Sequence, residues 1–333
     1  MFRKANLATL ASTFILVLGF SISSSAQQAV RIGTSSVGST FYTIAVGMSQ
    51  IIQKHSGLNV SVESLGGSHA NMFGVARGKT DFAMGNSGAT FDRYHGNKPF
   101  KKAFNLRLVA QGQNSYRGMF VTTSSGITKV EQLVGKTVAG KRKPLPELEK
   151  LLNAMIKVYS LPKEKIKVIS SRNLGEVNRV LRAGSVHAAA YPFSERQPVI
   201  TKLFNDGVIR PLISTPEKYA EMMKLLPKMF FKAKISANNW KNQPKGFLTF
   251  GLSTHLVTSE KQDAETVYKV TKALLGNNKE FRKYHGAARH WNTKRTLSTP
   301  TVPFHEGTIR YFKEIGAWNS KLAAHQAKLL SRK

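Results

Sequence analysis

Residues 31–52 read RIGTSSVGSTFYTIAVGMSQII. A short apolar strand ends in Gly33-Thr34-Ser35-Ser36-Val37-Gly38-Ser39, and Phe41, Ile44, Ala45, Met48, Ile51 and Ile52 then recur at helical spacing. A strand that turns through small and hydroxyl residues into an amphipathic helix is the opening unit of an α/β layer. The unit repeats. Leu58–Leu65 alternates as a strand and feeds a helix through Gly66-Gly67-Ser68, with Asn71 one turn on. Phe82–Met84 does so through Gly85-Asn86-Ser87-Gly88. In a parallel sheet such junctions share one edge, the carboxyl ends of the strands, where ligands bind. Helix N-termini there offer unpaired N–H groups and the positive end of a dipole. Gly admits a ligand to the backbone, and Ser, Thr or Asn adds a polar group, so the edge suits a carboxylate or another small anion. N-capping explains any one junction; three within one lobe point to a cleft.

The alternation continues. Strands are expected at Leu106–Gln111 and Met119–Thr122, and Thr122–Gly126 reads as a hinge. A second run follows, with strands at Lys136–Ala139, Ile166–Ser170, Val186–Tyr191 and Val208–Leu212. Helices are expected at Leu145–Tyr159, Leu174–Ala183, Pro198–Phe204 and Pro216–Leu226. Phe247–Val257 is a long extended stretch, followed by helices at Lys261–Leu275, Lys279–His285 and Glu306–Ile315. The pattern implies an α/β fold with a largely parallel sheet. If Phe247–Val257 returns to the first lobe, the chain makes two α/β lobes joined by two crossings. Lobe 1 is then 27–122 plus 251–333, and lobe 2 is 123–250.

Residues 1–26 stand apart. Arg3 and Lys4 precede the apolar run Leu7–Ile22, and Ser24-Ser25-Ala26 supplies small residues for cleavage. The run is shorter than the roughly 20 residues of a spanning helix, so a cleaved signal peptide and a periplasmic mature chain that does not span the membrane are expected. The whole chain of 333 residues carries 50 Lys and Arg against 18 Asp and Glu, a net charge of +32, two units of which belong to the leader. The basic residues are dispersed and accompany no nucleic-acid-reading module, so nucleic acid is not expected as a partner. No Cys is present, which excludes disulfides and thiolate chemistry. No HExxH pair, G-x-S-x-G elbow, dinucleotide fingerprint or Walker A loop occurs, so neither a metal, a cofactor nor a catalytic residue is expected.

The stretches RIGTSSVGSTFYTIAVGMSQII (31–52) and VESLGGSHANMFGVARGKTDFAMGNSGATFDRYHG (62–96) resemble the TAXI family, the TRAP-associated extracytoplasmic immunogenic solute receptors. The similarity continues through GITKVEQLVGKTVAG (126–140) and RAGSVHAAAYPF (182–193), and more loosely through PFHEGTIRYFKEIG (303–316). The resemblance implies a type II periplasmic binding protein fold, with two lobes joined by a hinge around a ligand cleft. It also implies delivery of a small organic acid or amino acid to the membrane subunit of a tripartite ATP-independent (TRAP) transporter. Carried onto matching positions, the ligand-facing candidates are Ser36, Gly38, Ser39, Thr40 and Tyr42, then Ser68 and Asn71, then Asn86 and Ser87. In the other lobe they are Tyr191, Pro192 and Phe193. Two departures bear on the ligand. Lys141-Arg142-Lys143-Pro144 replaces the family's Gly/Ser-rich loop, and Gly88 stands where an acid is common. Both favour a more anionic ligand, a dicarboxylate or acidic amino acid, with Lys141 or Arg142 pairing a second charge. The alternatives are a binding protein of the same fold that serves signalling, which an adjacent histidine kinase gene would indicate, and an enzyme on the same architecture, which would need a catalytic constellation.

Overall fold

The computed structural model describes residues 29–194 and 197–331; the expected leader lies outside them. The first unit runs β1 (Ala29–Ser35), α1 (Thr40–Ser56), β2 (Asn59–Gly66), α2 (Ser68–Ala76), β3 (Phe82–Asn86), α3 (Ser87–His95). Local chemistry sets these bounds. Ser39 caps α1 by accepting from the Tyr42 N–H, and Gly57, left-handed at φ 70°, ends it by donating to the Gln53 carbonyl. Between the caps, Phe41, Ile44, Ala45, Met48, Ile51 and Ile52 are buried on one stripe.

β4 (Leu106–Thr122) then leaves this unit as one 17-residue strand. The second unit comprises β5 (Thr137–Lys141), α4 (Glu147–Val158), β6 (Lys167–Ser170), α5 (Leu174–Arg182), β7 (Ala188–Phe193), α6 (Pro198–Asn205), β8 (Ile209–Pro211), α7 (Pro216–Leu225) and β9 (Phe231–Ile235). β10 (Phe247–Ser259) returns. α8 (Ala264–Gly276), α9 (Asn278–Phe281), α10 (Thr293–Ser298), α11 (Glu306–Glu314) and α12 (Ser320–Leu330) close the chain.

The strands order as β2-β1-β3-β10-β4-β7-β5-β6, with β8 on β4 and β9 on β10. β1 is parallel to both β2 and β3, and β5 to both β6 and β7. Between the two parallel groups, β4 and β10 run antiparallel to each other and to their neighbours. The sheet is therefore mixed rather than largely parallel, because the two crossing strands are themselves part of it. The buried apolar residues fall into a first core, from Val30–Ala110 and Leu256–Phe312. Two further clusters draw on Met119–Leu252. Membership changes between Ala110 and Met119 on β4 and between Leu252 and Leu256 on β10, where the β4–β10 register shifts at Ser253/His255. Thr122–Gly126, read as the hinge, lies beyond that changeover, where the Thr123 N–H is bound to the Val208 carbonyl.

Candidate functional site

β1 and β5 are each flanked on both sides by parallel partners, so their carboxyl ends are the switch points of the two units. These ends face each other. Arg142, the first residue after β5, donates from Nη2 to Ser36 Oγ (2.9 Å), the first residue after β1, and to the carbonyl of Gly66, the last residue of β2 (2.7 Å). Thr40 Oγ1 meets Ser194 Oγ at 2.7 Å, and the His69 N–H donates to the Pro144 carbonyl at 3.2 Å. The units close so tightly at Gly67 that a β-carbon there would stand 3.0 Å from the Pro144 carbonyl oxygen.

A cavity of about 40 Å³ lies between these contacts. It takes water-sized occupants only, so an organic molecule enters when the units part. Its walls come from four helix starts, one crossing strand and the carboxyl ends of β1, β5 and β7. Ser39 and Thr40 open α1, Ser68 opens α2, Leu174 opens α5 and Gln197 caps α6; Gln113, Asn114, Ser115 and Arg117 come from β4. Among the described residues no Asp or Glu lines it.

The polar lining is biased toward donors. Arg142 Nε, Gln113 Nε2 and Gln197 Nε2 are buried without a hydrogen-bond partner among the described residues. The Gln113 amide is fixed because its Oε1 accepts from the Trp291 indole N–H, which leaves only the NH₂ group to serve the cavity. That indole lies flat on Gly112, where a β-carbon would come within 2.0 Å of the ring. Arg142 is 2% exposed. Burial pushes its guanidinium down to about 10, against the pull of Glu147, so it remains a cation at neutral pH.

Beside it, Arg117 is matched. Its Nη2 and Nε donate to Glu147 Oε1 at 2.7 and 3.1 Å, and its Nη1 donates to Ser115 Oγ and the Tyr116 carbonyl. Asn86 Nδ2 also donates to Glu147 Oε1 (2.8 Å) and to Ser68 Oγ (3.2 Å), joining the two units behind the cavity. Glu147 Oε2 lies 3.8 Å from His69 Nδ1. Arg117 and His69 hold the Glu147 carboxyl below its usual range although burial acts the other way.

Of the residues expected at the site, Ser39, Thr40, Ser68, Arg142, Pro192 and Phe193 line the cavity. Ser36 bounds it indirectly by accepting from Arg142, and Gly38, at φ 81°, shapes the turn into α1. Tyr42 is half-buried on the first turn of α1 and is not part of the lining. The third helix start lies behind the wall. Asn86 caps α3 and braces Glu147, Ser87 Oγ accepts the Ser253 N–H, and Asn71 Nδ2 donates to the Met84 carbonyl. Tyr191 is in the core of the second unit, with its ring edge-on to Phe120 and its hydroxyl donating to Asn178 Oδ1 at 2.6 Å. Lys141 faces out, with Nζ 3.2 Å from Glu149 Oε1, because consecutive residues at a strand end project to opposite sides. The β4 lining residues escaped the sequence reading. The polar run QGQNSYR (111–117) between two apolar stretches was their signal.

Among the described residues no helix is long and apolar enough to cross a membrane, and no cluster of three or more His, Asp or Glu could hold a metal ion. Solved structures share the architecture at low identity. MatC of Rhodopseudomonas palustris, solved with malate, matches 89% of this chain and 99% of its own at TM-score 0.56 and 11% identity. A second R. palustris protein, solved with adipate, matches 80% and 99% at TM-score 0.51 and 14% identity. A periplasmic transporter protein matches 91% and 96% at TM-score 0.55 and 13% identity. The fold is thus that of the two-lobed periplasmic solute-binding proteins. The model of the NMT1-like family matches residues 32–316, and the chain belongs to that family.

Proposed function

We propose that this protein is an extracytoplasmic solute receptor that closes two lobes on a small organic anion and delivers it to a TRAP-type secondary transporter, as a TAXI receptor does. One observation carries the reading: the buried donors Arg142 Nε, Gln113 Nε2 and Gln197 Nε2, the first of them cationic, have no partner among the described residues and belong to the lining of a cleft in which no described residue supplies a carboxylate. A buried unmatched donor is costly, and an acceptor-rich anion satisfies all three. The helix starts of α1, α2, α5 and α6 add partial positive charge to the same space. An amino acid would also bring an ammonium group, for which the described lining offers hydroxyl and amide oxygens but no carboxylate. A dicarboxylate therefore fits better than an acidic amino acid. The malate and adipate in the two R. palustris structures are of this class.

The mechanism is capture. The lobes, taken as the two sides of the core changeover, part by bending in β4 between Ala110 and Met119 and in β10 between Leu252 and Leu256. A ligand carboxylate docks on the helix starts of the first lobe, and closure brings Arg142 onto it. The ligand favours closure only through contacts that the open form lacks, and Arg142, which comes from the opposite lobe, is such a contact. The signal peptide and periplasmic location belong to the same reading. A thermal-shift screen of the mature chain with monocarboxylates, dicarboxylates, amino acids and neutral sugars tests it. Saturating dicarboxylate should raise the midpoint by several degrees. A response to sugars or cations alone would overturn the reading.

A further inference from the structure

A second cavity, of about 170 Å³, adjoins the cleft. Both are lined by Gln113, Asn114 and Ser194, so one wall is common. The outer wall is the short helical turn Gly286–His290 with His285 before it, and contributes His285, Arg289 and His290. No described Asp or Glu lines this cavity either. Behind the shared wall, Arg295 donates from Nη2 to Asn114 Oδ1 (2.8 Å) and Ser253 Oγ (3.1 Å), so its partners there are neutral.

Among the described residues, the charges that act on His290 are cationic. Burial pushes the His290 imidazole below its ordinary range, and Arg289, Arg295 and Arg282 push it in the same direction. Lys141, the other candidate for a ligand's second charge, faces Glu149 on the outside.

We propose that the cavity bounded by Arg289 and His290 is a distal anion subsite, which takes the second acidic group of an α,ω-diacid whose first carboxylate is held at Arg142. This rests on the reading of the cleft as an anion site and specifies its ligand: two acidic groups joined by a short apolar or hydroxylated chain that passes the Gln113–Asn114–Ser194 wall. Electrostatic attraction at the mouth also draws dianions in ahead of monoanions. Arg289 is exposed, with Nη1 donating to the Gly286 carbonyl at 3.2 Å, so the subsite contributes discrimination more than total affinity.

The experiment is calorimetric titration of the full mature chain with dicarboxylates from succinate to suberate, each paired with the monocarboxylate of equal carbon number. It is repeated on the Arg289→Gln, His290→Gln double variant. The expected result is a diacid bound at least tenfold more tightly than its monoacid by the native chain, with the gap reduced to about threefold or less in the variant. Monoacid affinity should be unchanged, which also shows that the variant is folded. A diacid preference that survives in the variant, or no preference in the native chain when both acids bind, overturns the subsite and leaves the anion reading standing. Binding of neither acid in the series by the native chain removes the anion reading, and the subsite with it.

Discussion

Two arginines are buried where the lobes meet, and their surroundings differ. Arg117 is 1% exposed and Arg142 2%. Arg117 is held by the Glu147 carboxylate, with a serine hydroxyl and a backbone carbonyl on its remaining donors. Arg142 has a serine hydroxyl and a carbonyl, and an Nε with nothing to bind among the described residues. Neutral acceptors satisfy hydrogen bonds but leave the charge uncompensated in a medium that solvates it poorly. The Arg117 region is complete within the protein; the Arg142 region is completed by something else. One guanidinium fixes the relation of β4 to α4, and its neighbour keeps a charge available inside the same interface.

The largest effect should come from breaking the completed side. Glu147→Gln leaves Arg117 buried and unpaired and weakens the Asn86 bridge between the lobes, which should cost about 3–5 kcal/mol. Urea unfolding measures it, and a loss below about 1 kcal/mol would mean that Arg117 does not depend on Glu147. The sign with pH is fixed. The folded-state pKa of Glu147 lies below its unfolded value. Its contribution is therefore full above the ordinary carboxylate range and is lost as pH falls through the folded pKa.

The incomplete side should respond in the opposite sense. Arg142→Met removes a buried cation with no carboxylate partner among the described residues, so stability without ligand should be unchanged or raised. The affinity for an anion should fall by about 2–5 kcal/mol, or roughly 30-fold to several thousand-fold. Melting with and without dicarboxylate reads both quantities. A destabilised variant that still binds would reverse the roles of the two arginines.

Much of the first lobe was legible because its determinants are local. Ser39 caps α1, Gly57 ends it, and the apolar stripe between them needs no tertiary information. β4 was not legible as one strand. Gln111–Arg117 is polar because the segment crosses from one core to the other and Gln113, Asn114, Ser115 and Arg117 line the cleft, so the chain there loses the apolar alternation that marks a strand. β9, α10 and α12 were missed as well. β9 is five residues long and alternates exposed Lys232 and Lys234, with only Ile235 fully buried, and α12 has no buried residue, so both carry a weak core-facing signal. The site was legible as a chemistry more than as a residue set. Small residues at strand-to-helix turns located the edge, but whether Lys141 or Arg142 turns inward depends on the strand's register, which is set by β6 and β7.

An acid titration separates the lobes further. His255 belongs to the returning strand β10 in the first lobe and is fully buried, with Nδ1 2.9 Å from Thr90 Oγ1. Burial first, and Arg295 second, push its pKa down to about 3. Its unfolded value is near 6.5, so the unfolded chain binds the extra proton throughout the interval. Stability is then full above about pH 6.5 and falls on acidification by up to roughly 1.4 kcal/mol per unit until the folded pKa is reached, about 2 kcal/mol by pH 5. Urea midpoints at pH 7, 6 and 5 should show this slope in the native chain and a shallower one in His255→Gln. The interval lies above the range in which Glu147 titrates, so it reports the first lobe before the interface is disturbed. An equal slope in both proteins would place the acid sensitivity elsewhere.

The smallest effect is expected one residue from one of the largest. Lys141 precedes Arg142 in the chain and carries the same charge, yet its ammonium pairs with Glu149 at 3.2 Å on a face where the two side chains are 45% and 39% exposed. An exposed pair of this kind contributes about 0–1 kcal/mol, because water screens the attraction and ordering two long side chains offsets it. Lys141→Ala should therefore change unfolding free energy by less than about 1 kcal/mol and dicarboxylate affinity by less than about threefold at physiological salt, where charges beyond ~8 Å are largely screened. If instead it weakened binding as much as Arg142→Met does, the ligand would be responding to the summed basic charge of the segment and not to a buried guanidinium at the cleft. Net positive charge is plentiful on this protein. What singles out Arg142 is that its charge is held where water cannot serve it.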